Sequence, residues 1–82
     1  MSFDDGKGEI VHVSLETKGR KGKVVTLIKG FRHNSKTMQD IARLLKQFCG
    51  AGGTVRGTTI EIQGNQCFRL AEKLRLMNYV VK

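Results

Sequence analysis

The spacing of apolar residues changes along this chain, and that change constrains the fold more than any other feature. Between Glu9 and Thr17 apolar and polar residues alternate, a spacing of two that is typical of a half-buried strand. From Met38 to Phe48 the apolar residues recur at steps of three and four, which is the spacing of one face of an amphipathic helix. A chain that contains both periods is expected to form a sheet with helices packed on it.

Two β-hairpins are predicted, one on each side of this helix. The apolar run at residues 24–28 follows the first strand after a short basic segment that contains two glycines, a pattern that favours a hairpin. Apolar residues occupy both alternating sets of this run, so the pattern leaves open which face of the strand points inward. The second hairpin is predicted to turn at residues 57–58, with Ile60 and Ile62 pointing inward.

The ends of the helices are predicted from the residues that flank the apolar runs. Residues 37–40 fit a capping box, so the first helix is expected to begin there, and Gly50 is expected to end it. A second helix is predicted to follow Asn65 as its N-cap, with the apolar residues between 67 and 77 on one face.

A short strand at residues 79–81 completes the element order β-β-α-β-β-α-β. This order predicts an α+β two-layer sandwich, a mostly antiparallel sheet with two helices on one face. The length of 82 residues fits one domain, which we place at residues 9–82. Residues 1–8 lack periodicity and contain two glycines, so they are expected to form a flexible N-terminal tail.

Positive charge is concentrated in one part of the sequence. The chain has 15 Lys or Arg against 7 Asp or Glu, a net charge of +8. No acidic residue occurs from Thr17 through Gln39, and the basic residues of this stretch are Lys18, Arg20, Lys21, Lys23, Lys29, Arg32 and Lys36. Such a field favours a polyanionic partner, nucleic acid before an anionic membrane.

The basic turn of the first hairpin is the most informative part of this stretch. Side chains on a protruding turn reach into grooves, and its glycines allow the backbone to approach another surface closely. A solvated turn whose lysines only aid solubility is the alternative. The turn, the segment before the first helix and the polar face of that helix supply the candidate RNA-binding residues, which are Lys18, Arg20, Lys21, Lys23, Arg32, Lys36, Arg43 and Lys46.

The sequence offers little for catalysis or for a metal. Cys49 and Cys67 form no CxxC pair and lie far from both histidines in the sequence, so we expect free thiols, no metal site and no cofactor. The glycine-rich residues 50–53 follow a helix and lead into a strand, the reverse of a phosphate-binding loop. A non-enzymatic protein is therefore predicted, with a small thiol enzyme built on Cys49 as a distant alternative.

Aromatic residues are few, four Phe, one Tyr and no Trp. Phe31 or Phe48 would be able to stack on a base, but both positions are more typical of a core. Recognition through the backbone and shape of a nucleic acid is therefore favoured over the reading of single-stranded bases.

Three segments together resemble the translation initiation factor 1 family. They are CGAGGTV at residues 49–55, IEIQG at residues 60–64 and, upstream, GRKGK at residues 19–23. The match covers roughly residues 9–82 and is closest to the short bacterial and archaeal members of a family that also includes the eukaryotic start-codon fidelity factor. The chain departs from the family pattern at residues 65–67, after the Gln-Gly pair, and is unusually basic at residues 31–34.

The resemblance implies a monomeric, cytoplasmic translation initiation factor that binds the small ribosomal subunit near the P site and influences start-codon selection. Arg20 and Lys21, with Lys18 and Lys23, would meet ribosomal RNA close to the initiator tRNA, and the Arg43 side of the first helix would lie alongside. The initiator tRNA and other initiation factors are further candidate partners, and no membrane is expected. Promotion, proofreading and repression of initiation all stay open, as does a general nucleic-acid-binding protein.

Overall fold

The computed structural model describes residues 8–18 and 22–82, without the side chain of Lys18. Of the tail predicted over residues 1–8, only Gly8 lies within these ranges, and Arg20 and Lys21 lie outside them. The elements in chain order are β1 (Ile10–Lys18), β2 (Lys23–Lys29), α1 (Ser35–Cys49), β3 (Gly53–Arg56), β4 (Thr59–Gln63), α2 (Cys67–Leu76) and β5 (Val80–Val81). The predicted element order is confirmed.

The five strands form one sheet in the order β3-β4-β2-β1-β5. β1 pairs with β2, β2 with β4 and β3 with β4 in antiparallel fashion, whereas β5 pairs with β1 in parallel. The predicted, mostly antiparallel sheet is therefore confirmed, and β2 lies at its centre.

Both helices pack on the same face of this sheet. α1 contacts β3 and β4, and α2 contacts β1 and β5, so each helix covers one half of the sheet. A single apolar cluster joins the two layers, and its fully buried members include Val11, Ile28, Met38, Ile41, Leu45, Ile60, Ile62, Leu70 and Leu74. Apart from Ile28, whose face the sequence pattern left open, these are the residues that the two periods of the sequence place on inward faces.

The structure resolves the orientation of β2. Thr26 and Ile28 lie opposite Ile62 and Ile60 and face the helices, and both are fully buried. Val25 and Leu27 face the other way, yet they are only 7% and 6% exposed. A central strand has side chains from a neighbouring strand on each of its two sides, so both faces of β2 are shielded even where no helix covers the sheet.

The hydroxyl of Thr26 connects the centre of the sheet to the start of α2. It donates a hydrogen bond of 2.7 Å to the carbonyl oxygen of Gly64 and accepts one of 2.8 Å from the backbone N–H of Gln66. The Gly64 N–H in turn donates to the carbonyl oxygen of Val24 at 2.8 Å. Every polar group in this connection is satisfied, as burial requires.

The helix starts differ from the predicted ones. α1 begins earlier, at Ser35, because the side-chain oxygen of Asn34 accepts the N–H of Thr37 at 2.9 Å and acts as the N-cap. α2 has Gln66 rather than Asn65 at its N-cap position, and the Gln66 side chain makes no capping bond.

The predicted end of α1 is confirmed. Gly50 adopts the left-handed conformation at φ 63°, which a residue without a side chain adopts most easily.

Replacing Thr26 by valine should lower the free energy of unfolding by about 1–3 kcal/mol, because two buried backbone groups lose their hydrogen-bond partner. Urea unfolding followed by circular dichroism measures this change. Thr54→Val is the matched control: Thr54 is exposed on edge strand β3, so the same substitution should change stability by less than about 0.5 kcal/mol. Equal stability of the two variants would show that the Thr26 hydroxyl does not hold α2.

Candidate nucleic-acid interface

The first group of candidate residues lies at the turn of the β1–β2 hairpin. Lys18 and Lys23 face each other in the last pair of the antiparallel ladder, and Lys23 is exposed. The antiparallel pairing therefore brings these two positions to one end of the sheet. Arg20 and Lys21 fall between them in the sequence, outside the described residues.

The second group lies on the outward face of α1. Gln39 and Arg43 are exposed and Lys46 is half-buried, as the predicted polar stripe requires. The aliphatic part of Lys46 lies against Gly53: a Cβ at Gly53 would come within 3.3 Å of Lys46 Cγ, and it would also clash with the carbonyl oxygen of Glu61. The absence of a side chain at Gly53 thus lets Lys46 pack on the start of β3 while its amine extends to the surface.

These two groups lie towards the same end of the sheet. Lys46 packs on Gly53, Gly53 pairs with Ile62, and Ile62 pairs with Thr26. Thr26 lies three residues after Lys23, the residue at the hairpin end of β2, which is about 10 Å along the strand. The tertiary structure thus brings the basic stripe of α1 towards the basic turn, although more than 20 residues separate Lys23 from Lys46 in the sequence.

Arg32 and Lys36 lie elsewhere. Both follow the opposite end of β2, about 20 Å of strand away from Lys23. Arg32 is exposed and lines a shallow depression together with Glu9, His12 and Gly30. The acid-free stretch that is continuous in the sequence is therefore divided between the two ends of the sheet.

Ion pairs occupy only part of the basic surface. Within the described residues, Lys36 Nζ lies 3.6 Å from a carboxylate oxygen of Asp40, and Arg56 Nε lies 3.7 Å from one of Glu61. Across the same ranges no acidic side chain pairs with Lys23, Arg43 or Lys46. An exposed pair such as that of Lys36 contributes at most about 1 kcal/mol, so a polyanion could displace it at small cost. Within the described ranges, Lys23, Arg43 and Lys46 have no such pair to break.

The basic segment at residues 31–34 packs inside the molecule through Phe31, as its sequence favoured, and also through His33, which its sequence did not predict. Phe31 is only 2% exposed and its ring meets that of Tyr79 edge-on, with 5.4 Å between centroids. His33 Nε2 and the Tyr79 hydroxyl share a hydrogen bond of 2.7 Å. Phe31 is therefore a core residue rather than a stacking platform for a base. Phe48, which the sequence favoured as a core residue, is instead 41% exposed, and the amine of Lys73 lies 5.5 Å from the centre of its ring.

Both cysteines are free thiols. Cys49 is buried at the end of α1, and this burial raises the pKa of its thiol, an effect that the nearby charge of Arg69 partly opposes. Among residues 8–18 and 22–82, no group of three or more His, Cys, Asp or Glu side chains lies close enough to hold a metal ion. No helix in the same part of the chain is long and apolar enough to cross a membrane.

Comparison with known proteins shows to which family this chain is similar. The family model described as Translation initiation factor SUI1 matches residues 7–80, which is nearly the whole chain. The match includes both basic groups and every strand except the last residue of β5.

Individual relatives agree with this match. The chain is 41% identical over 63 residues to a Protein translation factor SUI1 homolog from Methanocaldococcus jannaschii, which covers 77% of this chain and 61% of the relative. It is 46% identical over 61 residues to the protein YciH of Salmonella typhimurium, with 73% of this chain and 56% of the relative covered. An uncharacterized protein from Synechocystis is 36% identical over 72 residues, or 88% and 65% of the two chains. The chain thus spans less than two thirds of the length of each of these relatives.

The two thiols should differ in reactivity. Because burial raises the pKa of Cys49, its thiolate forms only at higher pH, and near pH 8 it should react several-fold more slowly with a disulfide reagent than the partly exposed Cys67. Single variants Cys49→Ser and Cys67→Ser assign the two rates by absorbance, and denaturation should make them equal. Fast reaction of native Cys49 at neutral pH would contradict this assignment and would favour a thiol enzyme.

Proposed function

This chain belongs to the translation initiation factor SUI1 family, and from that premise we propose that it acts in translation initiation by binding the small ribosomal subunit. It occupies a position near the P site as a monomer, in the cytoplasm, where it contacts ribosomal RNA and influences start-codon selection. It catalyses no reaction, and its effect on initiation comes from the space and charge that it places beside the initiator tRNA and other initiation factors.

The hairpin turn and α1 form the proposed RNA contact. Lys18, Arg20, Lys21 and Lys23 supply its charges from the turn, and Arg43 and Lys46 supply them from the helix. The observation that carries the proposal is the arrangement of α1: Arg43 and Lys46 have no acidic partner among the described residues, and Lys46 is held towards the hairpin end of the sheet. Cations that are free of internal partners can neutralise phosphates without first breaking an ion pair.

Arg32 and Lys36 extend this contact towards the opposite end of the sheet. They would meet a part of the RNA about 20 Å from the one at the hairpin turn. Lys36 must exchange its surface pair with Asp40 for a phosphate, a small cost because the lysine side chain is 87% exposed. These two residues are therefore a secondary part of the same proposed surface.

A general nucleic-acid-binding protein or a translational repressor is the second candidate. The proposed contact consists of lysine and arginine side chains, which recognise phosphates, and Phe31 is buried rather than available to read a base. Such a surface would also bind duplex DNA. Comparison of the two ligands therefore separates the candidates.

Binding to purified small subunits should weaken steeply with salt. If about four to six phosphates are neutralised, the logarithm of the association constant should fall against the logarithm of salt concentration with a slope of roughly −3 to −5. Co-sedimentation or fluorescence titration over a series of salt concentrations measures this slope. An affinity that does not change with salt would contradict a phosphate contact and would indicate an apolar protein interface.

Removal of the two central charges of the hairpin turn should weaken this binding several-fold. The double variant Arg20→Ala/Lys21→Ala loses two phosphate contacts, of which the bidentate arginine contact is the stronger. Arg75→Ala/Lys82→Ala is the matched control, because it removes one arginine and one lysine that lie beside Val13 and Val81, on the side of α2 away from α1. Co-sedimentation with small subunits compares the affinities of the two double variants, after thermal unfolding has shown that their melting temperatures are equal.

Equal binding by these two double variants would show that net charge is sufficient, and the assignment to the hairpin turn would then be wrong. Equal affinity of the unmodified protein for small subunits and for duplex DNA would favour the general nucleic-acid-binding protein.

A further inference from the structure

Two large apolar side chains of α2 point away from the molecule. Phe68 is 83% exposed and Leu76 is 73% exposed, the two largest exposures among the large apolar side chains of the described residues. They lie about two helical turns apart with Glu72 between them, so these three side chains share one face of the helix. Leu70 and Leu74, which are fully buried, lie on the opposite face. We call the three outward residues the outer stripe of α2.

Cations lie on both flanks of the outer stripe. Arg69 is close enough to Cys49 for its charge to act on that thiol, so this arginine lies on the α1 side of the helix. Arg75 lines a depression together with Val13 and Val81, so it lies on the β1–β5 side. Both arginines are exposed, and no carboxylate of the described residues lies within ion-pair distance of either. The outer stripe therefore presents apolar side chains between two available positive charges.

This arrangement fits a helix of complementary charge. Where two helices pair, apolar residues at every third or fourth position form the contact, and charged residues beside them form ion pairs across it. The apolar side chains of such a helix would pack on Phe68 and Leu76. Acidic side chains on both borders of its apolar face would lie opposite Arg69 and Arg75. Glu72 is exposed, so its carboxylate can remain in solvent beside the contact.

RNA and a second copy of this chain fit the outer stripe less well. The carboxylate of Glu72, at its centre, would repel phosphates, and Leu76 offers no ring on which a base can stack. Antiparallel pairing of two α2 helices about a two-fold axis at Glu72 would bring Phe68 of each copy to Leu76 of the other. The same axis would place the two Glu72 carboxylates together and Arg69 opposite Arg75, so like charges would face each other.

We propose that the outer stripe of α2 binds an amphipathic helix of a partner protein, whose apolar face is bordered on both sides by acidic residues. The bound helix lies against Phe68 and Leu76, and its carboxylates pair with Arg69 and Arg75. This site is separate from the RNA contact proposed above, which involves α1 and the hairpin turn.

A defined peptide tests the proposal with the full chain. The probe is a fluorescein-labelled peptide of three Leu-Ala-Ala-Leu-Glu-Ala-Glu heptads, which places leucine on one helix face and glutamate on both borders of that face. One control peptide has lysine in place of each glutamate, and the other has alanine in place of each leucine. Fluorescence anisotropy should show that the acidic peptide binds at least about tenfold more tightly than either control, since the first reverses the charges and the second removes the apolar contact.

Serine variants of the outer stripe test the apolar contact. Phe68→Ser and Leu76→Ser should each weaken binding of the acidic peptide by about tenfold, because each removes apolar surface from the contact. Ile10→Ser is the matched control. Ile10 is 51% exposed and is adjacent to the fully buried Val11, so it lies on the face of the sheet that carries no helix. This variant should bind the acidic peptide within about twofold of the unmodified protein.

Charge-reversal variants test the two flanks. Arg69→Glu and Arg75→Glu should each weaken binding of the acidic peptide by about tenfold and strengthen binding of the lysine peptide. Lys29→Glu is the matched control, because it makes the same change in net charge. Lys29 is exposed and is adjacent to Ile28, which faces the helices, so Lys29 lies on the helix-free face of the sheet. This variant should bind the acidic peptide within about twofold of the unmodified protein.

Four results would overturn the proposal. The first is equal binding, or no binding, of the acidic peptide and its control peptides, and the second is equal binding by the stripe or flank variants and their matched controls. The third is a dimer in analytical ultracentrifugation that Phe68→Ser dissociates, because the outer stripe would then bind a second copy. The fourth is loss of small-subunit binding by Phe68→Ser at unchanged melting temperature, which would assign the stripe to RNA. The peptide measurements contain no RNA, so their failure is distinct from a failure of ribosome binding.

Discussion

Burial of β2 on both of its faces is the constraint on which the rest of this structure depends. The strand pairs with β1 on one side and β4 on the other, so each of the two hairpins is attached to the sheet through it. Its one buried polar side chain, Thr26, is satisfied by the chain that enters α2, and this hydrogen bonding fixes where that helix begins. Loss of the central strand would therefore separate both hairpins and release the second helix.

This arrangement explains why the charged side chains of the molecule lie on its surface. Two helices and one sheet in a chain of this length form a single apolar layer, and that layer is filled by the inward faces of the elements. Lysine and arginine side chains remain outside the layer because burial of an unpaired charge is costly. The net charge of +8 thus lies on the surface, where it can act on a polyanion.

The two helices cover different halves of the sheet and carry different side chains to the surface. α1 covers the β3–β4 half of the sheet and carries Arg43 and Lys46, whereas α2 covers the β1–β5 half and carries Phe68 and Arg75. The first side carries cations of the proposed RNA contact, whereas the second carries the exposed apolar side chains of Phe68 and Leu76.

The sequence by itself determined the elements, their order and the mixed layer architecture, because periods of two and 3.6 report directly which residues share a face. It also determined the turn at residues 57–58, the end of α1 at Gly50 and the polar stripe that contains Arg43. The tertiary structure alone decided that Thr26 and Ile28 face the helices, that α2 is held by Thr26, and that Phe31 packs against Tyr79. It alone separated Arg32 and Lys36 from Lys23, and it alone left Phe68 exposed beside the edge of β1. The physical reason is that each of these outcomes depends on contacts between residues distant in the chain, whereas a local pattern records only neighbours in sequence.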